Sequence, residues 1–79
     1  MGTVSAASLL NTYRIRVRAG RQRPQYAIDF MLQLIAALEG LEPSEQVDVR
    51  VRSEHPIHAE FVCVKNGELL AQLVEPRDA

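Results

Sequence analysis

Seventy-nine residues make one domain, near the lower limit at which a hydrophobic core holds a fold without metal or disulfides. With 47% apolar and 24% charged residues and a net charge of −1, the chain is excluded from the disordered class and fits a small globule. Cys63 is the only cysteine, so no internal disulfide forms, and no apolar run reaches the roughly 18 residues of a membrane span; the expectation is a cytoplasmic protein with no membrane partner.

In chain order, residues 1–12 read as a mobile N-terminal leader. They lack the basic start of a secretory signal, and Ala6 stands where an acylation pattern beginning at Met1-Gly2 needs Ser or Thr. From Tyr13 to Ala19, Arg14, Arg16 and Arg18 alternate with Ile15, Val17 and Ala19. That period of two predicts a strand with a wet arginine face. Residues 20–23 form the turn, and Pro24 suits the first position of a helix that continues from Gln25 to about Glu39. Gly40 predicts a left-handed helix ending, with Leu41 as its hydrophobic contact and Pro43 as a stop.

A second alternating strand follows, from Val47 to Arg52, with Asp48, Arg50 and Arg52 on its wet face. Residues 53–56 break it at Pro56. Strands from Ile57 to Val64 and from Glu68 to Val74 then flank Lys65-Asn66-Gly67, where Asn-Gly supplies the positive φ of a tight hairpin. On this face assignment Ala59, Phe61 and Cys63 share the buried side with Leu69, Ala71 and Leu73. Beyond Pro76 the tail, residues 77–79, reads as frayed. The predicted architecture is α+β: one helix on a mainly antiparallel four-stranded sheet, ordered β-α-β-β-β over residues 13–76, with the first strand parallel to the second through a right-handed crossover.

Two surfaces stand out. The first is an open sheet face carrying Arg14, Arg16, Arg18, Arg50 and Arg52. Up to Ile28 there are five arginines and no acids, and from Asp29 onward four basic and ten acidic residues. Guanidinium forks on such a face could grip phosphate, yet neither arginine strand carries an outward aromatic for stacking bases, and the total charge is slightly acidic. Apolar neighbours such as Val62, Val64 and Leu70 make the face more like a protein-binding surface. The plainest alternative is a solvated face with cross-strand ion pairs.

The second surface is the helix. Its apolar arc spans about 240°, whereas a helix lying on one sheet needs roughly 100°. Tyr26, Ile28, Phe30 and Leu32 are the surplus, to be covered by a second copy, by the leader or by a foreign partner. The expectation is a homodimer joined there.

The remaining chemistry is thin. His55, His58, Glu60 and Cys63 are metal-ligating types, but their spacing matches no structural zinc pattern, and alternation sends Cys63 to the face opposite His58. A buried Cys63 reads as core packing. No catalytic residue, metal site or cofactor is assigned, and an enzyme is not expected. The leading reading is a non-enzymatic interaction module, a small regulator or inhibitor, docking its arginine-rich face or a strand edge on an acidic protein surface. Nonspecific RNA or DNA binding through the same arginines is the alternative, and a structural subunit of a larger assembly is the third.

Overall fold

The structure, a computed structural model, describes residues 2–52 and 58–76. Its elements are β1 (Thr3–Ser5), α1 (Ala6–Arg18), α2 (Gln25–Glu39), β2 (Gln46–Arg52), β3 (His58–Cys63) and β4 (Leu69–Val74). The four strands form one antiparallel sheet in the order β1-β2-β3-β4, and both helices lie against one face of it. The α+β class and the four-stranded sheet are as the sequence leads one to expect. The helix count and the first strand are not.

Residues 13–18, read as a strand, are the second half of α1, and residues 3–12, read as a leader, supply β1 and the first half. The helix has a cap and an apolar stripe that the alternation conceals. Ser5 is the N-cap, its Oγ accepting from the Ser8 N–H at 3.2 Å. Ala6, Leu9, Leu10 and Tyr13 then follow at helical spacing; Ala6 and Leu9 are buried, and Leu10 and Tyr13 pack against the core. Ile15 and Val17, half of the apparent strand pattern, face solvent, with Ile15 59% exposed. Arg16 and Arg18 in the last turn suit the negative end of the helix dipole.

The extra helix also changes the strand direction. Each helix reverses the chain, so with two between them β1 and β2 run antiparallel, paired Thr3 to Asp48 and Ser5 to Gln46. A single helix would have made them parallel. α1 starts beside the beginning of β2, where Ala6 N–H donates to Glu45 O at 2.8 Å and Ala7 N–H to Pro43 O at 3.1 Å.

α2 lies over β4 and against α1. Phe30, Met31, Leu34 and Leu38 are buried, and Ile28 packs against the core. The surplus apolar arc is therefore shared between the sheet and α1. Of the four residues expected on a dimer surface, Phe30 is core, Tyr26 and Ile28 are half-buried, and only Leu32 is open, at 51% exposed. Pro24 sits one position earlier than expected, as the N-cap. Gly40 closes the helix in right-handed geometry at φ −84°, its N–H donating to Ala37 O, so the left-handed ending does not occur.

β3 pairs β2 from His58–Arg52 to Cys63–Val47. The β3–β4 hairpin turns at Gly67, φ 71°, with Asn66 Oδ1 accepting from Glu68 N–H at 3.0 Å. Opposite Phe61 and Val62 a bulge leaves Leu70 as the extra residue of β4, and both Leu70 and Ala71 are buried. Inward-facing Val47, Ala59, Phe61 and Cys63 complete the core with the helices.

Candidate functional site

Because Arg14, Arg16 and Arg18 lie on a helix, steps of 100° put Arg14 and Arg18 on one side and Arg16 on the other. The structure therefore does not assemble five arginines on one sheet face. Arg14 turns to α2, where its guanidinium bonds Glu39 Oε2 at 2.6 Å with both side chains about half exposed. Arg16 lies over the ring of Tyr13, 4.9 Å from its centroid. Arg50 and Arg52 do share the open sheet face, and Arg50 Nε donates to Asp48 Oδ2 at 2.9 Å. Glu60 stands directly opposite Arg50 on β3, and His58 opposite Arg52. His58 Nε2 is 3.7 Å from Glu60 Oε1, too far for a hydrogen bond, and it has no other partner among the described residues. Around Arg50 the outer face is a solvated mixture of charges, as the plainest reading anticipates, but its arginine ion pair runs along β2, from Arg50 to Asp48, and none crosses to β3 among the described residues.

Topology gathers arginines in another way. α1 begins at the start of β2 and runs beside it, so that Tyr13 and Arg16 face Val49 and Val51 across a groove of about 480 Å³. Its C-terminus therefore lies toward the end of β2, at Arg52. The short link of residues 19–24 between the antiparallel helices adds Arg21 and Arg23 to the same end. Arg16, Arg18, Arg21, Arg23 and Arg52 thus occupy one pole. Among the described residues, Arg18, Arg21 and Arg52 have no ion-pair partner; Arg23 donates to Met31 Sδ at 3.1 Å.

The opposite pole holds Glu39, Glu42 and Glu45, the β3–β4 turn with Glu68, and Lys65, whose Nζ is 3.8 Å from Glu45 Oε1. Asp29, which accepts from Gln25, and Glu75, after β4, are the acidic exceptions on the basic side. No family model, curated protein or solved structure matches this chain. The site therefore stands on its own geometry. Sequence reasoning left Arg21 and Arg23 in a turn, outside its arginine face, and put Arg14 on that face, whereas Arg14 pairs with Glu39 of α2. The signal available was the stretch from Arg14 to Arg23, five arginines with no acid among them, which the strand reading divided.

Cys63 is buried on the inner face, away from His58, and His55 lies outside the described residues. Among the described residues no three of His, Cys, Asp and Glu converge as a metal site would require. No helix of the described chain is long and apolar enough to cross a membrane.

Proposed function

We propose that the protein is a non-catalytic interaction module whose basic pole docks on an acidic protein surface, in the manner of a small regulator or inhibitor. The observation that carries this reading is the charge polarity. Five arginines from α1, the interhelix link and β2 stand at one end, while most of the glutamates of the described chain stand at the other. Such a dipolar distribution steers association and fixes orientation more than it adds affinity. The apolar groove beside Arg16, floored by Val49 and Val51, adds the mixture of arginine and exposed aliphatic side chains typical of interface centres. Nucleic acid is less well served. Tyr13 is spent in the core beneath Arg16, and Tyr26, the other aromatic near this end, is half-buried beside Leu73 and Val74 of β4, so neither ring stands open as a stacking platform.

The test is fluorescence anisotropy with a labelled polyglutamate peptide and with single- and double-stranded oligonucleotides, at about 50 and 200 mM salt. Binding of polyglutamate that weakens with salt and is lost in the R18E/R52E variant supports the reading. If instead duplex DNA meets all five arginines, its affinity falls about 500-fold over that range, with a logarithmic slope of about −4.5, and the nucleic-acid alternative wins. Binding of neither probe removes the basic pole as a docking site.

A further inference from the structure

β1 is too short to cover β2. Its three residues pair with Gln46, Val47 and Asp48, and one further bond, from Val49 N–H to Gly2 O at 3.4 Å, ends the ladder. In an antiparallel sheet successive residues bond to opposite sides, so the register identifies the groups left open. Val64 N–H donates to the directly opposed Gln46 O, which turns the even-numbered residues of β2 toward β3 and the odd-numbered ones toward β1. Val51, next in the odd series after Val49, therefore directs both its N–H and its C=O at the open edge, and neither has a partner among the described residues. Its side chain, 52% exposed, floors the groove of about 480 Å³ bordered by Tyr13 and Arg16 of α1. An unpaired donor, an unpaired acceptor and an apolar recess thus lie together beside the arginines.

We infer that the acidic partner enters as an extended segment, adding a strand antiparallel to β2 in line with β1 and placing an aliphatic side chain in the groove. The inference rests on the docking reading above and specifies the form of the partner. Strand addition draws affinity from main-chain bonds and specificity from pockets for alternate side chains. Directly opposed residues of a ladder point to the same face. The segment's residue opposite Val51 therefore turns its side chain into the groove, and its residue opposite Arg52 turns outward beside a guanidinium that has no ion-pair partner among the described residues. The recognised pattern is an aliphatic residue next to a carboxylate in an extended chain. A second copy of this edge does not fit. A two-fold at Val51 would set Arg50 directly against Arg52, and like charges so placed repel.

The experiment is fluorescence anisotropy with labelled peptides of equal length and charge, at about 50 mM salt. One alternates Glu and Val, a second alternates Glu and Gly, and a third is the Glu-Val peptide with its valine amides N-methylated, which removes the donors of the ladder and keeps the charge. The Glu-Val peptide should bind the wild-type protein at least about tenfold more tightly than either control, and Val51→Glu should abolish that preference. Saturating Glu-Val peptide should also slow hydrogen exchange of the Val51 amide, a readout on the wild type that stays decisive if the variant fails to fold. Equal binding of all three peptides, lost in R18E/R52E, overturns the added strand and leaves the basic pole as a docking site. So does tight Glu-Val binding with unchanged exchange at Val51. Binding of none of the peptides overturns the inference together with the docking reading.

Discussion

Tyr13 sets its ring edge-on to Phe30 of α2, with centroids 6.2 Å apart, and to Phe61 of β3 at 5.9 Å, while Phe30 and Phe61 meet at 5.4 Å. Three elements are thereby joined by one aromatic cluster, and each such pair contributes roughly 0.5 to 1.5 kcal/mol beyond its buried area. Phe61, 3% exposed on the inner face of the sheet, is its most enclosed member. Phe61→Ala should therefore cost about 3 to 5 kcal/mol. A domain of this length has only about 4 to 12 kcal/mol in total, so the variant should be close to unfolding at room temperature. Urea denaturation followed by far-ultraviolet circular dichroism gives the value, and a loss under about 1 kcal/mol would mean the three rings do not pack together. Phe61 was legible as a core residue because Ala59, Phe61 and Cys63 alternate with His58, Glu60 and Val62 in one clean strand. Tyr13 was not, because its helical partners Ala6, Leu9 and Leu10 fell in residues read as a leader.

At the scale of the element, α1 is where two periodicities overlap on the same residues. Ile15 and Val17 alternate with arginines, yet Ala6, Leu9, Leu10 and Tyr13 form a helical stripe that begins at a capping serine. The stripe prevails because it buries side chains against α2 and the sheet, whereas the alternating pair buries little; arginine and alanine are also good helix formers. The strands from β2 to β4, the hairpin and α2 had no such competitor, and their limits fall within about two residues of the sequence reading. Ile15→Ala separates the two readings. On an exposed helix face the exchange removes a β-branched residue and should change stability by no more than about 0.5 kcal/mol, with stabilisation the favoured sign. On the buried face of a strand it would cost about 2 to 5 kcal/mol. Thermal denaturation of the single variant is sufficient to decide, and a loss in the upper range would restore the strand.

For the whole molecule, the basic pole combines arginines that have a packing role, Arg16 over the Tyr13 ring and Arg23 against Met31 Sδ, with one, Arg52, whose position stability does not explain. Arg52 stands two residues from Arg50 on one face of β2 and opposite His58 on β3, so the nearest charge along its own strand face is another arginine. Like charges in adjacent or opposed positions of a sheet are destabilising. Stability alone would favour a neutral residue there, and groups kept against the interest of stability are those expected at a functional surface. Arg52→Gln should therefore leave the melting temperature unchanged or raise it slightly, by no more than the equivalent of about 0.5 kcal/mol, while weakening polyglutamate binding. The pairing of outcomes is the informative part. If Arg52→Gln lowers stability by more than about 1 kcal/mol, the side chain is structural and the polarity is a by-product of packing. If stability holds and binding falls, the basic pole is a docking surface whose cost to the fold is balanced by its partner. The sequence showed the charge imbalance but not its direction in space, because that direction depends on α1 running beside β2 rather than lying within the sheet.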